Sequence, residues 1–99
     1  MPLAFLYRLL PVRPTLGFDA TPEEQAIVGA HFSYLQGLLA EGKLIMAAPA
    51  ADYSFGLTIF EAESEAEARA IMAGDPAIQK GIMTAALTPL KVALLRGRD

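Results

Sequence analysis

The longest hydrophobic pattern in the chain recurs at the spacing of a helix, over residues 21–42. Its apolar positions are Ile27, Val28, Leu35, Leu38 and Leu39. Thr21 and Glu24 have the spacing of a capping box, in which each side chain satisfies a backbone N–H of the other residue. Pro22 suits the first helical position, where a missing N–H costs nothing, and Gly42 suits the left-handed conformation that ends many helices. These signals predict one long helix between the two caps.

Alternating aliphatic and aromatic residues predict four strands, in which neighbouring side chains point to opposite faces of a sheet. The predicted strands cover residues 3–10, 43–48, 53–61 and 82–96, the last one broken or bulged at Pro89. A second helix is predicted for Glu65–Ala73 behind a Ser64 cap, and Asp75-Pro76 begins one further short helical turn. Residues 11–20, which contain two prolines and a glycine, are predicted as a loop.

The predicted order of elements is therefore β-α-β-β-α-β, the ferredoxin-like arrangement of an α+β protein. Right-handed crossovers place both helices on one face of an antiparallel sheet and leave the other face open. The first, third and fourth strands carry apolar residues toward both faces, whereas a solvated face normally alternates to polar residues. We therefore expect a second copy of the chain to cover the open face, in a two-fold homodimer or a higher oligomer.

Composition narrows the classes of protein that fit this pattern. The chain has 99 residues, 54% of them hydrophobic, which predicts a single domain over residues 1–99 with more apolar surface than a small monomer needs. The net charge is −3 and Lys and Arg form no cluster, so nucleic-acid binding has no electrostatic basis. No apolar run approaches the ~20 residues of a membrane span, and the N-terminus lacks the pattern of a signal peptide. We expect a cytoplasmic protein that binds neither nucleic acid nor membranes.

His31 and Asp75 are the candidate catalytic residues. His31, the only histidine, lies four residues after Ile27 and four before Leu35, so the helix should direct it toward the core. An imidazole has an ordinary pKa of about 6.5, and a carboxylate against its second nitrogen would fix the tautomer and raise its basicity. Two helices side by side on one sheet face would allow Asp75, at the start of a helical turn, to reach His31. Each residue also has a simpler interpretation, as a hydrogen-bonded core histidine and as a helix cap.

Few other side chains could contribute to a site. Tyr34 lies one turn beyond His31, where its hydroxyl could orient a ligand or the ring could pack in the core. Tyr7 and Arg8 could reach a pocket or a dimer interface, depending on the register of the first strand. One histidine and no cysteine cannot assemble a typical zinc site, and the chain has no phosphate-binding or dinucleotide-binding glycine motif. We therefore expect neither a metal nor a cofactor.

Two segments resemble the signatures of the YciI-like (YCII-related) family. Residues 29–49, GAHFSYLQGLLAEGKLIMAAP, resemble the segment in which a histidine-bearing helix leads through a glycine turn to a strand. Residues 63–83, ESEAEARAIMAGDPAIQKGIM, resemble the segment in which a helix ends in an Asp-Pro step. The resemblance implies a dimeric α/β-barrel and an active site in which His31 and Asp75 approach each other.

Substrate binding is assigned to Tyr34 and to Pro49, which follows the second strand. Where the family usually has Gly-Pro, this chain has Ala48 before Pro49, and the aromatic residue that often follows Asp-Pro is Ala77. Both departures should change the shape of the pocket, so the resemblance does not define the substrate.

Three functions are compatible with these residues. The first is a cofactor-independent enzyme, such as an isomerase or a lyase, that uses His31 and Asp75 for acid–base chemistry on a small acid of aromatic or lactone type. The second is a non-catalytic dimeric protein that binds a metabolite in the same pocket. The third is an accessory protein with a vestigial site. Most members of the family have no assigned reaction, and a few relatives act on chlorinated aromatic breakdown products.

Overall fold

The computed structural model describes residues 3–97, so the outer ends of the expected domain, residues 1–2 and 98–99, lie outside that range. The strands are β1 (Leu3–Pro11), β2 (Leu44–Pro49), β3 (Gly56–Ala62) and β4 (Met83–Leu90). The helices are α1 (Leu16–Asp19), α2 (Pro22–Ala40), α3 (Glu65–Ala73) and α4 (Pro76–Gln79). The strands form an antiparallel sheet in the order β2-β3-β1-β4. This order confirms the predicted α+β fold of ferredoxin-like type.

Helix α2 begins and ends at the predicted caps. The side chain of Thr21 accepts a hydrogen bond from the Glu24 N–H at 3.1 Å, and the Glu24 side chain accepts one from the Thr21 N–H at 2.9 Å. Gly42 has a φ of +77°, and its N–H donates to the Leu39 carbonyl at 3.0 Å. Glycine adopts this left-handed conformation without the steric cost of a Cβ atom, so it ends the helix cleanly.

Helix α1 is absent from the sequence prediction, which gave residues 11–20 as a loop. The N–H of Leu16 donates to the Arg13 carbonyl at 3.0 Å, and the N–H of Asp19 donates to the Thr15 carbonyl at 3.0 Å. The turn also buries the Leu16 side chain. One helical turn carries too little hydrophobic periodicity to be distinguished from a loop, and the neighbouring prolines strengthened the wrong interpretation.

Strands β3 and β4 are both shorter than predicted. β3 begins late because the preceding residues form a turn, in which the Ala50 N–H donates to the Phe55 carbonyl at 2.8 Å and Tyr53 has a φ of +61°. A strand cannot hold that left-handed conformation. β4 ends before residue 96, yet it passes through Pro89 in continuous register with β1. The bulge that was one alternative at Pro89 is therefore absent, because a strand at the sheet edge pairs on one side only and tolerates proline. The other alternative, a break, is close to the observed end of β4 at Leu90.

The hydrophobic core lies between the sheet and the helices α2 and α3. Its buried members are Phe5, Tyr7, Leu9, Leu35, Leu38, Phe60, Ala62, Ala68 and Ile71. The Tyr7 ring lies edge-on to the Phe60 ring, with centroids 5.7 Å apart, which is a favourable aromatic geometry. Alternate residues of β1 supply this side of the sheet, so the register of β1 decides which of its side chains can reach the helices.

The apolar stripe predicted for helix α2 is present, but only part of it is buried against the sheet. Leu35 and Leu38 are buried against the sheet, but Leu39, predicted on the same stripe, is 59% exposed. Phe32 is 61% exposed and lines an open cleft together with Leu39. Periodicity shows which residues share a side of a helix, but it does not show whether that side meets the core or an open groove.

The sheet face opposite the helices also carries apolar residues, as expected from strands that are apolar on both faces. Leu6, Leu57 and Ile59 are half-buried on this face, where Leu6 pairs with Ile59 across β1 and β3. The Arg8 guanidinium lies 4.8 Å from the centroid of the Phe55 ring. A second copy of the chain on this face stays a prediction. Within residues 3–97, every helix is too short or too polar to cross a membrane.

Candidate active site

A cleft of about 810 Å³ lies between α2 and β2. Small-molecule sites in proteins typically have volumes of roughly 300–1,000 Å³. Residues of α1 and of the β2–β3 turn line the cleft as well. The Phe18 ring is edge-on to the Tyr53 ring at 5.5 Å, and a Cβ atom at Gly17 would lie 2.5 Å from the Tyr53 Cβ. Glycine at this position therefore allows α1 to contact the turn beside the cleft.

His31 lies on α2 at the wall of this cleft, with a side chain that is 13% exposed. Its Nδ1 atom lies 2.7 Å from Asp75 Oδ1 and 2.8 Å from Asp75 Oδ2. The part of the chain that the structure describes forms no other hydrogen bond with His31. The predicted proximity of the two residues is therefore present, and Nε2 remains the ring nitrogen without a protein partner.

Asp75 is fully buried at the N-cap of α4. Its Oδ1 accepts a hydrogen bond from the Ala77 N–H at 2.9 Å, and its Oδ2 accepts one from the Tyr7 hydroxyl at 2.8 Å. A buried carboxylate is costly unless it is paired and hydrogen-bonded, and these groups together with His31 meet that requirement. Asp75 is thus a helix cap that also pairs with His31, and its catalytic role stays a prediction.

The arrangement around Asp75 assigns the tautomer of His31. An ionised carboxylate can only accept hydrogen bonds, so Nδ1 must carry the hydrogen that lies between His31 and Asp75. In a neutral imidazole the other nitrogen, Nε2, is then an acceptor. A ring held in this way can take up a proton at Nε2, and the adjacent carboxylate would stabilise the resulting positive charge.

Tyr7 belongs to the site, although the sequence left its direction open. The register of β1 turns it toward the helices, where it is fully buried and donates to Asp75. Burial raises the pKa of the Tyr7 hydroxyl well above its ordinary value, and the charge of Asp75 and the hydrogen bond to it raise that pKa further. Tyr7 therefore stays protonated and remains a hydrogen-bond donor. The sequence did contain a signal for this role, because the phenol of Tyr7 lies on a strand face that becomes buried, where its hydroxyl needs a hydrogen-bond partner.

Thr58 stands opposite Tyr7 in the β1–β3 register and lines the cleft. Its side chain is fully buried, and its Oγ1 has no hydrogen-bond partner among residues 3–97. The hydroxyl is close enough to Tyr7 to oppose part of the rise in the pKa of Tyr7, but not in the geometry of a hydrogen bond. An unsatisfied buried hydroxyl is unusual and destabilising.

Of the two residues assigned to substrate binding, the structure brings only one to the cleft. Pro49, at the end of β2, lines it. The Tyr34 hydroxyl instead donates to the Ile71 carbonyl at 2.6 Å and so ties α2 to α3. Burial raises the pKa of Tyr34, and the charge of Asp75 adds to that rise. This contact favours the packing role of Tyr34 over the ligand-binding role.

Metal binding finds no support in this region. Within the described range, no group of three or more His, Cys, Asp and Glu side chains is arranged to hold a metal ion. The polar groups that meet at the site are the imidazole of His31, its buried carboxylate partner Asp75 and the hydroxyl of Tyr7.

Comparison with known proteins agrees with this fold and places the chain in a family. The sequence model of the YCII-related domain matches residues 9–90, so the chain belongs to the YCII-related domain family. No curated protein matches it significantly. Among solved structures it is similar to 5-chloro-2-hydroxyhydroquinone dehydrochlorinase (TftG) from Burkholderia phenoliruptrix AC1100, in complex with 2,5-dihydroxybenzoquinone. That similarity has a TM-score of 0.70 and 22% identity, over 90% of this chain and 94% of the other.

Proposed function

We propose that this protein is a small-molecule enzyme in which His31 transfers protons and Asp75 holds it in the reactive tautomer. One observation carries the proposal: Nδ1 of His31 is engaged 2.7 Å from a fully buried carboxylate, at the wall of an 810 Å³ cleft. The contact leaves Nε2 of His31 without a hydrogen-bond partner among residues 3–97, so this nitrogen is available to a ligand in the cleft.

The mechanism follows from the assigned tautomer. Nε2 of His31 takes a proton from the bound ligand, and the Asp75 carboxylate stabilises the imidazolium that forms. Tyr7 and the Ala77 N–H hold that carboxylate in place through bonds of 2.8 and 2.9 Å. The imidazolium then returns the proton, to another atom of the ligand in an isomerisation or to a leaving group or solvent in an elimination. A positioned base of this kind typically contributes roughly 10²–10⁴-fold to a rate.

The reaction class is accordingly that of a cofactor-independent isomerase or lyase. The similar solved structure is of a dehydrochlorinase with a quinone ligand, and removal of hydrogen chloride begins with loss of a proton. A small ring compound with an acidic proton is therefore the candidate substrate here. The alternative, a dimeric protein that binds a metabolite without turnover, would use the same cleft and is separated from the enzyme by measured turnover.

Two probes test the proposal. Release of chloride from 5-chloro-2-hydroxyhydroquinone reports elimination, and incorporation of solvent deuterium into the ring of 2-hydroxyhydroquinone, which is uncharged near neutral pH, reports proton transfer alone when followed by NMR. His31→Gln should reduce either rate by roughly 10²-fold or more. Asp75→Asn should do the same, because the amide N–H can donate to Nδ1 and so favours the wrong tautomer.

The control is Ser33→Ala, an exposed position on α2 outside the cleft, which should leave the rates unchanged. Circular dichroism and thermal unfolding would establish that each variant is folded. A rate that survives His31→Gln would contradict the proposed base. Binding of the probes without turnover by the wild-type protein would favour the metabolite-binding alternative.

We also propose a homodimer formed through the open sheet face. Leu6, Leu57 and Ile59 support it, because a monomer would leave this apolar face in water.

A further inference from the structure

The cleft is almost free of ionisable groups. Charged residues make up 19% of the chain, yet among residues 3–97 no Asp, Glu, Lys or Arg side chain lines the cleft. Its polar side chains other than His31 are uncharged: Gln25, Gln36, Thr58 and the phenol of Tyr53. The remaining walls are aliphatic and aromatic. A ligand that enters the cleft therefore leaves water without meeting a fixed charge on these walls.

The charged groups near the cleft lie outside its lining. Asp75 lies behind His31, 2.7 Å from its Nδ1 atom, so a positive charge on that ring would already be paired. The Arg8 guanidinium lies 4.8 Å from the centroid of the Phe55 ring, but Arg8 itself does not line the cleft. Arg13, between β1 and α1, forms ion pairs with both Asp19 and Glu24, so its charge is already offset. An anion in the cleft would therefore meet no unpaired cation among the side chains of residues 3–97 that line it.

Transfer of a carboxylate or phosphate into such a site is unfavourable, because an ion loses its hydration and gains no opposite charge. An uncharged ring loses little hydration and gains contact with Phe32, Leu39 and Met46, which together leave much apolar surface exposed at the cleft. We propose that the ligand of this cleft is an uncharged aromatic compound with a hydrogen-bonding group directed at His31. This inference rests on the proposed function. The sequence led us to expect a small acid of aromatic or lactone type as the substrate, and the inference replaces it with an uncharged aromatic compound.

Matched pairs of probes that differ only in charge test the proposal. Benzamide and benzoate have nearly the same shape, as do 4-hydroxybenzamide and 4-hydroxybenzoate, and the carboxylates are ionised at pH 8. Binding can be followed in every variant by NMR through the ring signals of the probes. In chains that retain His31 its ring signals report binding as well, and they are unambiguous because the chain has one histidine. We expect each amide to bind at least tenfold more tightly than its carboxylate. Equal or tighter binding of the carboxylates, or binding of neither member, would overturn the inference.

A cation introduced into the cleft provides the converse test. Gln36→Arg places a guanidinium at the wall and should improve benzoate binding at least tenfold relative to the wild-type protein. Ser33→Arg is the matched control, because it adds the same charge at an exposed position of α2 that does not line the cleft. If both variants improve benzoate binding equally, or neither does, local charge does not determine the selectivity and the inference fails.

His31→Gln separates this inference from the proposed function. The variant keeps the uncharged walls, so the preference for amides should persist even when proton transfer is lost. If His31→Gln still prefers the amides but exchanges deuterium as fast as the wild type, the proposed base is wrong and the ligand class stands. If His31→Gln loses exchange but the wild-type protein prefers the carboxylates, the base stands and the ligand class is wrong.

Discussion

Replacing Tyr7 with phenylalanine removes one hydroxyl from the centre of the protein and leaves the ring in place. That hydroxyl donates to Asp75 at 2.8 Å, and both side chains are fully buried. The edge-on contact of the ring with Phe60 should survive, so the change isolates a single hydrogen bond to a buried carboxylate.

The expected loss of stability follows from the charge of the acceptor. A hydrogen bond to a charged group contributes about 1.5–3 kcal/mol, more than a bond between neutral groups. Since the ring volume is kept, no cavity term is added, and we expect a loss of about 2 kcal/mol in the free energy of unfolding. For a chain of this size that loss lowers the melting temperature by roughly 8–16 °C.

Urea unfolding followed by circular dichroism measures this loss, with Tyr53→Phe as the matched control. Tyr53 is 47% exposed and its hydroxyl has no hydrogen-bond partner in the described part of the chain, so its loss should change stability by less than about 0.5 kcal/mol. If Tyr7→Phe behaves like this control, the hydroxyl does not stabilise the Asp75 carboxylate and our account of the site is wrong.

The same variant should differ from the wild type in alkali. Burial and the Asp75 charge raise the pKa of Tyr7 in the folded protein above its ordinary 10.0, so its contribution to stability is complete below pH 10. As the pH rises past 10, the unfolded chain loses this proton and the folded protein does not, and stability falls. Tyr7→Phe should remove that part of the decline, and urea unfolding at pH 9, 10 and 11 would reveal it.

Three further predictions use the same kinds of measurement. Thr58→Val should leave urea stability unchanged or raise it by up to about 1 kcal/mol, because it removes an unsatisfied buried hydroxyl; a loss above ~1 kcal/mol would mean that the hydroxyl has a partner. Arg13 lowers the pKa of Asp19 and of Glu24, so their contribution to stability is present above their ordinary pKa values of 3.8 and 4.5 and is lost as the pH falls through the folded values. Arg13→Gln should therefore flatten the decline of urea stability below about pH 4.5, and an unchanged acid profile would contradict these pairings. Ile59→Asp should convert the proposed dimer, of about twice 10.6 kDa, to a monomer in light scattering, whereas a wild-type mass of 10.6 kDa would refute the dimer itself.

Most of the fold could be predicted from short sequence patterns such as helix caps. The caps at Thr21 and Gly42 defined α2 because they satisfy backbone groups within a few residues, which depends on no tertiary contact. The order of elements then limited the sheet topology to one arrangement, and that arrangement brought Asp75 to His31. Sequence reasoning could predict this meeting because it needed only two helices on one sheet face.

The parts that sequence did not predict depend on long-range geometry. Tyr7 joins the site only in one register of β1, and a shift by one residue would turn it to the open face. The exposure of Leu39 depends on how far α2 stands from β2, which no local pattern encodes. Tyr34 looked like a neighbour of His31 along the helix, but its hydroxyl reaches the Ile71 carbonyl on α3.

The apolar stripe of α2 faces the sheet along one edge and the cleft along the other. Leu35 and Leu38 are buried against the sheet, while Phe32 and Leu39, which flank them in the sequence, remain largely exposed at the cleft. Substitutions at the exposed positions remove little buried surface, so they should be tolerated far better than substitutions at the buried ones. Over evolutionary time, related chains could therefore acquire new ligands by drift at these positions, with the His31 pair and the fold left intact.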